Sequence, residues 1–404
     1  MGELPDPLRV ALLAGTLEFG GAEKQLVYMA RALQGAGVRV RVYTLGKNEI
    51  NEAALHDVGL GPIAVGLVAN PVLRLLTFAR AVRHFRPHIV QASTFYVNLY
   101  VALTARLFGS LAIGAIRSDV VLDLQDTGRW GPLLLRAPTA LVTNSHAARR
   151  AAMQLGIDSA RIHVVANVIE TSAFEQACRC RPATRNAGQA VAILVGQLVR
   201  AKRADRFLEA LALARRSTPG LQGLVVGDGP ERASLEAHAG RLGLLPDGLK
   251  FHGPADPDDI PRLMAAADIL ALTSDYEGLP NVILEAMAAR LPVVTTPAGD
   301  AAAVVEDGVG GFVVPFDALD ELADRLTRLT RSPALRQEFG EAGYERVTAR
   351  YACAGLADRL VAVYRAAAQQ SGHREVLDKL PPRAGTPHGI SDYGYSKYSK
   401  APMS

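Results

Sequence analysis

The chain has 404 residues, 49% of them hydrophobic and 21% charged, with 44 Lys and Arg against 40 Asp and Glu for a formal net charge of +4. That length supports two to three domains at about 150 residues each, and the apolar fraction excludes an intrinsically disordered chain. The near balance of charge gives no ground for nucleic acid as a partner, and Cys178, Cys180 and Cys353 are an odd count with no metal spacing, which fits a reducing cytosol.

The first residues, Met-Gly-Glu-Leu-Pro-Asp-Pro, lack a basic segment followed by an apolar one and read as no signal peptide. Short apolar, β-branched runs at 10–14, 38–44, 89–92, 112–116 and 140–143 are predicted strands, with helical patterns between them and a closing run at 161–166. Gly20-Gly21-Ala22-Glu23-Lys24 opens the first helix, and glycine there permits close approach to the backbone. Arg80, Arg83, His84 and Arg86 cluster on one predicted helix, either a solvated face or a patch for anionic lipid. The stretch 95–116 is broken by Asn98, Thr104 and Arg106, and reads as a helix, then Gly109-Ser110, then a buried strand rather than a membrane span.

From 167 to 189 the chain turns polar, the composition of a linker. A second series of strands follows at 191–195, 221–226, 249–252, 269–273, 293–296 and 311–314. Continuous apolar strands alternating with amphipathic helices argue for parallel β-α-β winding in both halves. Ligands of such sheets bind beyond the carboxyl ends of the strands, so a cleft between the halves is the expected site. After the strand at 191–195 come Gly196, Gln197, Arg200 and Lys202, then a helix from Ala204-Asp205. Glycine allows close approach after a strand, and Lys202 can reach a diphosphate as a compact point charge. Gly227-Asp228-Gly229-Pro230-Glu231-Arg232 has Arg where a dinucleotide fingerprint has its third glycine, and reads as a turn. Residues 317–368 are helix-rich; 371–404 have no core-forming periodicity and read as a disordered tail.

The most specific segment lies at 277–285, Glu277-Gly278-Leu279-Pro280-Asn281-Val282-Ile-Leu-Glu285. It leaves an apolar run and enters a helix that is expected to start near Pro280 as its first residue, with the N–H groups of Gly278 to Val282 directed at one spot suited to phosphate. Two carboxylates flank that spot. They suit a ligand that presents hydroxyls as well as phosphate, because ionised carboxylates only accept hydrogen bonds.

This pattern resembles the signature of the retaining glycosyltransferases of family 4, which have the GT-B fold, an α/β architecture of two doubly wound Rossmann-like domains facing across a cleft. The resemblance implies an N-terminal acceptor-binding domain over 1–180 and a nucleotide-sugar-binding domain over 181–350. It adds a helix at 351–370 that packs back toward the first domain. It implies transfer of a sugar from a UDP- or GDP-linked donor to a hydroxyl of a lipid-linked, polysaccharide or small-molecule acceptor, with retained anomeric configuration. Glu277 would contact the donor sugar, Glu285 the ribose and Lys202 the diphosphate; Gly20 and Gly21 would approach acceptor and donor phosphates. Three departures stand out. Gln197 replaces an expected Arg, with Arg200 as a substitute charge; Arg117, Ser118 and Asp119 stand where the family often has a sugar-contacting His; Val168 replaces a Gly before the linker. No Asp-x-Asp signature is present near the site, so no catalytic metal and no cofactor are expected, and the enzyme would be cytoplasmic with a peripheral contact to anionic membrane. A degenerate binder of nucleotide sugar or a partner protein, a nucleotide-sugar 2-epimerase and a nicotinamide-dependent oxidoreductase are the alternatives.

Overall fold

The computed structural model describes residues 6–17, 20–46, 51–66, 70–180 and 185–382. The chain divides into two compact units. One takes the chain up to Val168 and resumes at Cys353; the other is Ile169–Ala352.

In the first unit the strands are β1 Arg9–Ala14, β2 Arg39–Thr44, β3 Ile63–Ala64, β4 Ile89–Ala92, β5 Leu111–Ile116, β6 Ala140–Thr143 and β7 Ile162–Val164. They form one parallel sheet in the order β3-β2-β1-β4-β5-β6-β7. Every residue of β4, β5 and β6 is buried, which is why these strands read as unbroken apolar runs. The helix Leu356–Ser371, although last in sequence, completes this unit's core: Leu360, Tyr364 and Ala367 pack with Leu26, Met29 and Ala30 of the helix Gly21–Gly35. The Tyr364 hydroxyl donates to Gln91 of β4.

The second unit holds β8 Gln189–Val195, β9 Gly220–Val226, β10 Leu249–Gly253, β11 Ile269–Leu272, β12 Val293–Thr295 and β13 Gly311–Val313, parallel in the order β10-β9-β8-β11-β12-β13. Its helices show ordinary amphipathic logic. Leu319–Arg331, for example, buries Leu322, Ala323, Leu326 and Leu329 at three- and four-residue spacing and leaves its acids and arginines outside.

Several expectations need correction. The polar stretch at 167–189 contains a helix, Ser172–Arg179, whose buried residue is Phe174, while 181–184 lie outside the described residues. The tail expected from 371 onward begins instead with a helix, Arg374–Lys379, that buries Val376 at 2% exposure, and 383–404 lie outside the described residues. Six residues are too few for an apolar period to show. Val168 is not in a positive-φ conformation; its N–H and C=O are both bonded by the buried Gln25 amide at 2.9 and 2.7 Å, so this loop is built without the glycine. The 95–116 stretch is the helix Asn98–Phe108, a left-handed Gly109, and β5. No described helix is long and apolar enough to cross a membrane.

Candidate active site

In each sheet the strand order reverses next to the strand that starts the unit: between β1 and β4, and between β8 and β11. Such a switch point leaves a crevice at the carboxyl ends, where the loops diverge to opposite faces. In the second unit the loops leaving β8 and β11 carry Lys202 and Glu277. Lys202 Nζ lies 2.6 Å from Glu277 Oε1, and Ser274 Oγ donates to the same oxygen at 2.7 Å. The Glu277 side chain is 10% exposed and that of Lys202 29%, so the two charges satisfy one another while the lysine keeps access to solvent.

A polar frame holds the two loops together. Arg206, buried at 6%, donates to the Thr273 carbonyl at 2.7 Å and to Asp275 at 3.0 Å. Thr273 Oγ1 donates to the Arg203 carbonyl at 2.8 Å, and the Asp275 N–H to the Ala201 carbonyl at 2.9 Å. Arg203 also pairs with Asp205 and Asp275, hydrogen bonds that hold its guanidinium above the usual range despite some desolvation. On the other side Thr296 Oγ1 donates to the Ser274 carbonyl at 2.6 Å and the Asp300 N–H to the Gly278 carbonyl at 2.9 Å. Two glycines make this packing feasible. A Cβ on Gly227, at φ +137, would lie 1.9 Å from the Gly196 carbonyl, and one on Gly299, at φ +58, 2.2 Å from that of Gly278.

Gly278 and Leu279 lie in the loop, and the helix is Asn281–Ala288 with Pro280 as its N-cap residue. This corrects the expected start by one position. It also removes Pro280 from the set of donors, since proline has no N–H, and the Ile283 N–H turns back to the Pro280 carbonyl at 3.2 Å. Glu285, half-buried, follows one turn into the helix, with Asn281 and Val282 at its start. Gly196 follows the last residue of β8, and Gln197 is exposed. Arg200 is exposed and lines a cavity of about 680 Å³ with Arg203, Asp205, Glu231, His238 and Asp275; neither Lys202 nor Glu277 belongs to its wall.

In the first unit Gly20, with extended backbone, is the N-cap of Gly21–Gly35, and both glycines are exposed. Arg117 and Ser118 follow β5. Arg117 Nη2 rests 3.2 Å from the Met29 sulfur, and burial lowers its pKa to about 10, which leaves it charged at neutral pH. Ser118 donates at 2.7 Å to Asp123, whose carboxyl burial pushes up to about 6, with Asp119 and Asp126 adding to the rise. The helix after Ser118, Val120–Thr127, is capped by Asp119 accepting from Val121 and Leu122. No group of three or more metal-ligating side chains occurs among the described residues. Ser274, Asp275, Arg203, Arg206 and Thr296 were not singled out from sequence; the bonds that tie their two loops together, such as Arg206 to Thr273 and Asp275 to Arg203, span about seventy positions and leave no spacing signal.

Two family models match: Glycosyl transferases group 1 over residues 181–346 and Glycosyltransferase Family 4 over 19–173. Among curated relatives, the alpha-D-kanosaminyltransferase of Streptomyces kanamyceticus is 33% identical over 43% of this chain and 45% of its own length. The D-inositol 3-phosphate glycosyltransferase of Kribbella flavida is 26% identical over 82% of this chain and 87% of its own. The chain thus spans less than half of the first of these. Among solved structures, Anabaena Alr3699/HepE in complex with UDP-glucose superposes with a TM-score of 0.75 at 21% identity, over 90% of this chain and all of that one. A sucrose-phosphate synthase from Thermosynechococcus elongatus gives 0.72 at 19% over 90% of this chain and 99% of its own. These likenesses establish the GT-B fold for two parallel α/β units.

Proposed function

This chain belongs to the family 4, group 1 glycosyltransferases, and from that membership we propose that it moves a sugar from a nucleotide diphosphate donor to an acceptor hydroxyl with retention, without a metal. The observation that carries the reading is the Lys202–Glu277 pair at the β8/β11 switch point, one helical turn and a loop away from Glu285. A cation beside one carboxylate, with a second carboxylate on the helix that follows, suits a ligand that is anionic at one end and hydroxylated at the other. In the Anabaena neighbour, UDP-glucose is the bound ligand.

In this reaction the acceptor oxygen bonds to the anomeric carbon as the carbon–phosphate-oxygen bond breaks, and the departing diphosphate oxygen takes the acceptor's proton. Lys202 neutralises the charge that develops on the diphosphate, aided by backbone donors at the start of Asn281–Ala288. Glu277 exchanges its bond to Lys202 for sugar hydroxyls, and Glu285 accepts from the ribose. Neither carboxylate acts as an acid or nucleophile, in contrast to glycoside hydrolysis. The first unit supplies acceptor contacts from Gly20, Gly21, Arg117 and Ser118. The helix Pro71–Phe85 exposes Val72, Leu73 and Leu76 at 64, 50 and 50% together with Arg80 and Arg83, a surface suited to the face of an anionic membrane.

The test is a thermal-shift series with uridine, guanosine and adenosine diphosphate sugars. At about a hundredfold over the dissociation constant a donor adds roughly 2.7 kcal/mol, a shift of several degrees. Stabilisation by one nucleotide class that disappears in Glu285→Ala supports the reading; no stabilisation by any overturns it. Gln197 and the turn of Arg200 into another cavity favour a second reading, a binder of nucleotide sugar without turnover. Tight donor binding with no transfer to any acceptor would support that one.

A further inference from the structure

Lys202 and Glu277 stand on separate loops, and the spacing between those loops is set at Thr273 and Asp275. The Thr273 hydroxyl donates to the Arg203 carbonyl at 2.8 Å and lies 3.3 Å from that of Lys202, while the Asp275 N–H donates to the Ala201 carbonyl at 2.9 Å. Three successive carbonyls, that of Lys202 and one on either side, are thereby tied to the loop that carries Glu277. Ser274, between the two tying residues, is the one whose hydroxyl bonds Glu277.

Arg206 grips both tying residues at once. Its Nη1 donates to the Thr273 carbonyl at 2.7 Å and its Nη2 to Asp275 Oδ1 at 3.0 Å, while Arg203 Nη1 reaches Asp275 Oδ2 at 3.3 Å. A planar guanidinium holds two acceptors at a fixed spacing, which a lysine ammonium cannot do. Stability alone gives little reason for an arginine here. Arg206 is the third residue of the helix Ala204–Ser217, where the helix dipole disfavours a cation, and it is only 6% exposed. Apolar side chains of similar volume in place of a buried ion pair are often neutral or stabilising. What they cannot supply is direction, so two loops joined by apolar contact alone are free to slide past one another.

We propose that Arg206 is a positioning residue for the donor site: sealed from the ligand itself, it acts through Thr273 and Asp275 to hold the Lys202 ammonium and the Ser274–Glu277 pair in register. The ligand's identity as a nucleotide diphosphate rests on the transferase reading, whereas the positioning is read without any ligand.

The ligand-free measurement is acylation of Lys202 by a water-soluble amine reagent, followed by mass spectrometry in the full chain with the exposed Lys250 as internal reference. The Lys202 side chain is 29% exposed and paired with Glu277, so it should label slowly in the parent and several-fold faster in Arg206→Met, which should melt close to the parent. Arg206→Lys keeps the charge and loses the fork, and should label like Arg206→Met. Arg206→Met combined with Asp275→Asn guards against misfolding, because it removes both charges together while Arg203 keeps Asp205; it too should label fast. The second measurement is calorimetric binding of uridine, guanosine and adenosine diphosphates. Arg206→Met should weaken the diphosphate that binds the parent about tenfold, the span of one charged hydrogen bond. In a Lys202→Met background the same substitution should weaken it no further, because a residue acting through Lys202 has nothing left to position. Unchanged Lys202 labelling in Arg206→Met and in the double variant, parental behaviour of Arg206→Lys, or a second, additive loss of diphosphate affinity overturns the proposal. Absence of any nucleotide binding in the parent would remove the transferase reading, and the labelling rates would still decide whether Arg206 sets the Lys202–Glu277 pair.

Discussion

Replacing Gly299 by Ala tests whether the loop after β11 is held in place by backbone contact. The new Cβ would fall 2.2 Å from the Gly278 carbonyl oxygen and 2.4 Å from that of Glu277, where real Cβ contacts do not come under 3.0 Å. The loop must therefore retreat by roughly 0.8 Å or more, and a misplacement of about 1 Å in a reacting site costs on the order of a hundredfold in rate. Alanine at φ +58 also pays about 1 kcal/mol for its left-handed backbone, a melting shift of a few degrees in a unit of this size. Gly308→Ala separates the two effects, since Gly308 is at φ +80 with nothing within 4 Å of its Cβ position. Both variants should lose a few degrees, and only Gly299→Ala should lose donor-induced stabilisation and about a hundredfold of turnover. If the two are alike in donor binding and turnover, the loop's geometry does not control the site and the argument fails.

Lys202→Met should leave Glu277 with the Ser274 hydroxyl alone, costing about 1–3 kcal/mol once the exposure of the lysine is allowed for. Transfer should drop by orders of magnitude, and undiminished transfer in that variant would take Lys202 out of the mechanism. Asp123 has a folded pKa raised to about 6, so its contribution to stability is present below about pH 4 and is lost as pH rises through 6. Asp123→Asn should accordingly melt higher than the parent at pH 7.5, with the gap closing toward pH 4.5; a gap independent of pH refutes the assignment. Reversing Arg80, Arg83 and Arg86 to Glu should cut partition onto anionic vesicles about a hundredfold, at about 1 kcal/mol for each residue. Unchanged sedimentation with the vesicles would exclude that helix as a membrane contact.

The strands were legible because parallel strands covered on both faces leave continuous apolar runs such as Leu111–Ile116. The two-residue edge strand Ile63–Ala64 was not, being too short for a run and half open to solvent. Ser172–Arg179 was hidden because its buried face reduces to Phe174, which gives no period. The candidate site was approachable from sequence where its residues are local: Gly196 to Lys202 lies on one loop, and Glu277 to Glu285 on one loop and helix. What spacing could not convey was the pairing of those segments, since Lys202 meets Glu277 across 75 positions and Arg206 reaches Thr273 across 67. Arg117 and Ser118 were visible as departures from a pattern.

The helix Leu356–Ser371 fills the core of the unit that the chain began, after all of Ile169–Ala352 has intervened. On a ribosome adding about 5–20 residues each second, the apolar strip around Leu26, Met29 and Ala30 waits on the order of twenty to seventy seconds for its cover. The second unit, contiguous in the chain, has no such delay. Synthesis therefore leaves that strip open to chaperones and to self-association until Leu356–Ser371 is made, and a nonsense mutation between Val164 and Leu356 would strand the first unit with all its strands made and the strip uncovered.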